Sequence, residues 1–147
     1  MTIFQEIINN KIIQTAVLSW FVAQVIKIII DCIKNKTINP ALIVSSGGMP
    51  SSHSSFVTAL ACSTGFTEGF DSTLFAITFV ISMVVMYDAS GVRRAAGKQA
   101  QVLNIFIANF EKHGIKIDSK LKELLGHSPV EVFAGAILGI FIAIVMF

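Results

Sequence analysis

The chain has 147 residues, of which 54% are hydrophobic and only 14% charged, with a formal net charge of +2 and a mean hydropathy of +0.75. A soluble domain of this size carries charge on roughly a quarter of its residues. That shortfall excludes an ordinary soluble domain and points to a single all-α integral membrane domain over residues 1–147, with no internal repeat or low-complexity tract.

Ile3, Phe4, Ile7, Ile8 and Ile12 recur at helical spacing and predict an amphipathic start running into the first membrane helix. Four apolar segments follow, at 12–33, 54–66, 73–87 and 130–147. A helix needs about 20 residues to cross ~30 Å of hydrocarbon. The first and last segments meet that length; the middle two are short and are expected to thin the bilayer or pack inside a bundle. On the first segment Lys27 and Asp31 stand four residues apart, which suits either an ion pair near the helix end or a snorkelling lysine. Cys32 and Cys62 lie at different depths, so no disulfide is expected. The N-terminus shows no basic stretch ahead of a small-residue cleavage site, so no signal peptide is read.

Pro40, Gly47, Gly48 and Pro50 preclude a continuous helix over 34–52, and a new helix is expected to start within 51–54, where serine supplies an N-cap. Residues 65–72 form an acidic turn carrying Glu68 and Asp71. After Tyr87 the polar stretch DASGVRRAAGKQ is expected to leave the membrane, and Val102, Leu103, Phe106, Ile107 and Phe110 then define one face of an interfacial helix. Residues 113–122 are a charged connection containing His113. Pro129 opens the last helix, at a position that suits proline, and Gly135 with Gly139 forms a GxxxG pattern that permits close helix packing.

Four crossings bring 34–52, His53, 88–98 and His127 to one membrane face. That face also holds nine of the 11 basic residues, namely Lys34, Lys36, Arg93, Arg94, Lys98, Lys112, Lys116, Lys120 and Lys122. The positive-inside rule then predicts a multi-pass cell-membrane protein whose histidine face is cytoplasmic, with both termini outside.

Two stretches carry the chemistry: GGMPSSHSS at 47–55 and GHSPVEVFAGAILG at 126–139 each place a histidine just ahead of an apolar segment. Ionisable groups are costly in hydrocarbon, so such histidines are expected to face a polar pocket or the interface. Two histidines, several cations and a carboxylate on one face suit phosphate ester hydrolysis. One imidazole can attack phosphorus and another can protonate the leaving alcohol. Arginine offers a planar fork to phosphoryl oxygens. Glu131, one turn after His127, can hold the imidazole tautomer. Backbone N–H groups after MPSSHS favour an anion. The spacing fits no metal signature, so no metal or cofactor is expected.

These residues resemble the divergent branch of the type-2 phosphatidic acid phosphatase (PAP2) superfamily, related to acid phosphatases and vanadium haloperoxidases. PSSH at 50–53 is similar to its P-S-G-H motif, with Ser52 in the glycine place. HSPVEVFAGAILG at 127–139 is similar to its H-x-x-x-D segment, with Glu131 for aspartate. YDASGVRRAAGKQA at 87–100 resembles the divergent branch specifically. The resemblance implies a bundle of about four transmembrane helices plus one or two interfacial ones. It implies His127 as nucleophile, His53 as general acid and Glu131 as the group orienting His127. Phosphate would be held by Arg93, Arg94, Lys98, Ser51 and Ser52, with Lys34 and Asp88 as outlying members. Leu121 stands six residues before His127, where the superfamily has arginine, and Asn39 precedes Pro40 in place of another.

The expected function is therefore a metal-independent phosphatase acting on a membrane lipid phosphomonoester or pyrophosphate through phosphohistidine, with vanadate as a phosphate mimic. The rival is a non-catalytic phospholipid-binding or complex-stabilising membrane protein with a degenerate site. Vanadate-dependent oxidation suits a membrane-embedded chain less well than lipid hydrolysis. The expected partners are a lipid phosphate and the bilayer, with no nucleic acid, and a homo-oligomer is compatible with the sequence.

Overall fold

The computed structural model describes residues 2–36, 48–112, 121 and 126–147, leaving the side chains of 92–94 and 110–112 outside the description. All its regular elements are helices: α1 (Ile3–Asn9), α2 (Lys11–Asn35), α3 (Ser52–Glu68), α4 (Thr73–Ser90), α5 (Val92–Lys112) and α6 (Pro129–Met146). Their starts follow local chemistry. Asn10, Ser51, Ser72 and Ser128 cap α2, α3, α4 and α6 by accepting a backbone N–H three residues on.

One boundary differs from the sequence reading. The amphipathic start does not run into the first membrane helix, because the Asn10 side chain accepts from the Ile13 N–H at 3.1 Å and separates α1 from α2. The polar stretch after Tyr87 is helical on both sides of Gly91. α4 continues to Ser90, Gly91 still bonds back to the Tyr87 carbonyl at 2.9 Å, and α5 begins at once. Alanine, arginine, lysine and glutamine favour helix there, and no proline interrupts them.

Among the described residues three helical runs are long and apolar enough to cross a membrane: Lys11–Asn35, Thr73–Asn109 and Pro129–Met146. The fourth expected crossing, α3, has 17 residues and falls short of that standard. Its place in the bundle explains why it can. α2, α4 and α6 all pack on α3, which buries Ser52, Ser54, Ser55, Thr58, Ser63 and Thr64. Most of these hydroxyls are satisfied inside the protein. Thr58 and Thr64 donate to the Ser54 and Leu60 carbonyls at 2.7 and 2.9 Å, and the Ser19 and Ser55 hydroxyls meet at 2.6 Å. Large apolar side chains lie outside, among them Phe21, Val84, Phe133, Phe141 and Val145. A core of small polar residues under a large apolar surface is how a bundle packs in lipid, where close backbone approach replaces the hydrophobic drive.

The GxxxG pattern serves this intrachain packing. A Cβ at Gly135 would collide with the Ser51 carbonyl oxygen, and one at Gly139 with the Thr58 hydroxyl and the Ser55 carbonyl. The two ends of the bundle differ. At one, Phe66 stacks on Phe147 and the Lys11 amine lies 4.2 Å from the Phe147 ring centroid. At the other, the starts of α3 and α6 and the end of α4 converge.

Candidate active site

The convergence is built from backbone first. The Ser51 N–H donates to the Glu131 carbonyl at 2.9 Å, tying the start of α3 to the first turn of α6. The His127 N–H donates to the Ala89 carbonyl at 3.0 Å, tying the approach to α6 to the last turn of α4. With Gly135 seated against Ser51, these bonds fix where His53 and His127 stand. The two rings lie 6.0 Å apart between centroids at 66°.

His127 is 1% exposed, and its Nδ1 lies 3.2 Å from Oε2 of Glu131. The same carboxylate oxygen accepts the Ser128 N–H at 3.0 Å, while the Ser128 hydroxyl accepts the Glu131 N–H at 3.4 Å. Glu131 thus closes a capping box and engages the histidine at once. An N-terminal helix turn favours its negative charge, and the carboxylate orients the ring through Nδ1. The capping serine and proline of the HSPVE stretch therefore shape the acid–histidine pair as well as starting a helix.

Lys27 is the residue that the sequence reading misplaced. Asp31 does not pair with it; its Oδ1 accepts from Asn35 Nδ2 at 2.8 Å, one turn further along α2. Lys27 turns into the bundle instead, 2% exposed, where its stem packs under Gly48 and its charge lies within electrostatic reach of Glu131. A side chain at Gly48 would press on that stem, with Lys27 Cγ 3.1 Å from an added Cβ. The φ of +93° at Gly48 also favours glycine. One signal for Lys27 was in the sequence. A lysine amid an apolar span is a functional residue by default, because burying an ammonium there needs a partner. Asp31, four residues on, offers a competing partner by spacing alone, and spacing does not register the bundle interior.

The other expected site residues divide. Ser51 is buried, and its hydroxyl accepts from the Ser54 N–H and hydroxyl at 3.3 and 3.0 Å, so it is occupied in capping α3. Ser52 is buried in the first turn of α3, beside His53. Asp88 is half-buried next to Ala89, whose carbonyl holds His127. Arg93 and Arg94 lie on the first turn of α5, just beyond that contact, and their side chains are outside the described residues. Lys98 is exposed and lines a separate surface hollow with Gln99, Val102 and Leu103; α5 packs on α4 and on no other described helix. Lys34 is exposed in the last turn of α2. Leu121 is exposed and held through its backbone by the Asn104 side chain, with both bonds at 2.9 Å. Asn39, Pro40, Gly47, His113, Lys116, Lys120 and Lys122 lie outside the described residues.

Residues 8–142 match the divergent PAP2 family. The chain is 39% identical over 152 residues to the uncharacterized membrane protein YuiD of Bacillus subtilis (strain 168), a match covering 96% of each chain. No solved structure gives a significant match.

Proposed function

This chain belongs to the divergent PAP2 family, and on that premise we propose that it hydrolyses a phosphomonoester or pyrophosphate carried by a membrane lipid, through a phosphohistidine on His127. The observation that supports this best is the buried His127, engaged through Nδ1 by a helix-capping carboxylate, with a second histidine 6.0 Å away. In the first step His127 Nε2 attacks phosphorus, the bond from phosphorus to the leaving oxygen breaks, and His53 gives that oxygen its proton. In the second, water attacks the phosphohistidine and passes a proton to His53. The P–N bond then breaks and releases orthophosphate. Glu131 holds the ring and steadies the imidazolium as charge develops.

Lys27 joins this reading as the buried cation for the phosphoryl oxygens, beside Glu131. Arg93 and Arg94 also remain in it. The Ala89 bond to His127 sets the start of α5 about one helical turn away, and either guanidinium would take the place that Leu121 leaves empty. Lys98, Lys34, Ser52 and Asp88 are outer members.

Purified protein in detergent, offered a panel of lipid phosphates, should release orthophosphate, resist EDTA and be inhibited by vanadate. A label from 32P-substrate should be retained on wild type and absent from His127→Ala. Saturable lipid binding with no turnover across the panel would favour the rival, a phospholipid-binding membrane protein with a degenerate site, for which the exposed Leu121 speaks. The basic face is placed in the cytoplasm. In a Cys32→Ser, Cys62→Ser background, a cysteine at Ser72 should react with an impermeant reagent in intact cells and one at Lys36 should not; the reverse pattern would overturn the orientation.

A further inference from the structure

α2 and α4 both pack on α3, but among the described residues their backbones do not approach each other. Between them, over α3, lies a crevice of about 300 Å³ lined by Trp20, His53, Phe56, Val57 and Val85. Four of its five walls are apolar and the fifth is a histidine of the candidate site. Phe56 and Val57 follow directly on the SSHSS stretch, so the first turns of a helix rich in small residues place two larger apolar ones just beyond His53. Phe21 and Val84, next in sequence to Trp20 and Val85, are 57% and 62% exposed, an apolar outer surface suited to lipid. His127 itself is buried, so a molecule entering past His53 would meet it without crossing the polar face.

We propose, resting on the lipid phosphatase reading, that this crevice seats the hydrocarbon chain of the substrate, and that the lipid enters sideways from the bilayer with its phosphate stopping at His53 and His127. An apolar trough ending in a phosphate-binding group complements an amphiphile: the chain stays in a hydrocarbon-like setting while the headgroup meets the imidazoles. Its volume sits at the small end for ligand sites, so it takes the head-proximal part of a single chain. The crevice between α4 and α6, about 450 Å³ and lined by residues such as Met83, Tyr87 and Phe133, contains neither histidine and is the natural control.

Trp20 is the protein's single tryptophan, which permits a test that needs no turnover. Wild-type protein in nanodiscs of unbrominated lipid would be titrated with a single-chain alkylphosphonate brominated near its headgroup, and with the matching brominated alcohol. The phosphonate should quench Trp20 fluorescence saturably. The alcohol should give only the weak, linear quenching of bulk partitioning. Val85→Phe, which fills the crevice, should weaken phosphonate binding by about tenfold, the equivalent of displacing two buried methylenes. Met83→Phe, in the control crevice, should leave it unchanged. Equal quenching by phosphonate and alcohol, or saturable quenching indifferent to Val85→Phe, overturns the crevice assignment. Failure of phosphate release with the saturable, Val85-sensitive quenching intact overturns the catalytic reading alone.

Discussion

The two ends of this bundle use the same helices for opposite purposes. At the Phe147 end, rings of Phe66, Phe70 and Phe75 form a chain of edge and stacked contacts, Lys11 lies over an aromatic face, and the adjoining turn is acidic. At the other, about 24 Å along α2 by helix rise, the bundle buries Lys27 and His127 and brings His53 beside His127. An aromatic closure gains from dispersion and excludes water. A buried lysine and histidine gain nothing comparable and are tolerated only where partners or a ligand compensate them. Close packing of small residues makes the bundle; the polar end is an expense that packing does not explain and that the proposed function would.

The largest expected effect separates the ends by activity. His127→Ala should abolish turnover, and His53→Ala should slow it by about 10²–10⁴-fold, the range for a lost general acid. Phe66→Ala at the aromatic end should lower thermal stability in detergent while sparing kcat at permissive temperature. Full activity in His127→Ala protein would sink the nucleophile assignment, and equal loss in Phe66→Ala would show that activity tracks folding alone.

Next comes the packing that both ends share. Gly139→Val should destabilise the bundle by about 3 kcal/mol, at the upper part of the overpacking range, because its Cβ meets the α3 backbone and the Thr58 hydroxyl. Gly135→Ala makes the same collision against Ser51, at the site itself. It should therefore cost catalysis even where Gly135→Ala protein remains folded. Thermal melts paired with kcat would show whether the two glycines part company in this way.

A smaller loss tests the buried cation. Lys27→Met keeps length and removes charge, and should lower kcat/KM by about a hundredfold, comparable to losing one donor to a developing anion. Wild-type kinetics in Lys27→Met protein would show that phosphate is held from the α5 side only.

Much of this was legible in the sequence because it rests on local rules. Serine caps, Pro129 at a helix start and the HSPVE spacing each depend on a few adjacent residues, and the structure brings His53, His127 and Glu131 together. What was not legible depends on rotation and on competing local bonds. Which way Lys27 faces is decided by where α3 and Gly48 pack, and no i, i+4 count reveals that. Asn10 breaks a periodic apolar pattern by accepting a backbone N–H. The brevity of α3 reads as a weak membrane span until its neighbours are known to wrap it.

The smallest predicted effect lies at the aromatic end and is the counterpart of Lys27→Met. Lys11 is exposed, and its amine over the Phe147 ring is a cation–π contact of the surface kind. Such contacts contribute about 0.5–1 kcal/mol when exposed. Lys11→Met should therefore lower stability by no more than that and leave kcat/KM for every lipid phosphate at the wild-type value. The two lysines sit on the same helix, 16 positions apart, and differ chiefly in what surrounds them. A catalytic loss in Lys11→Met matching that in Lys27→Met would mean that α2 transmits any change of charge to the histidines. The contrast between the two ends would then be one of stability and not of function.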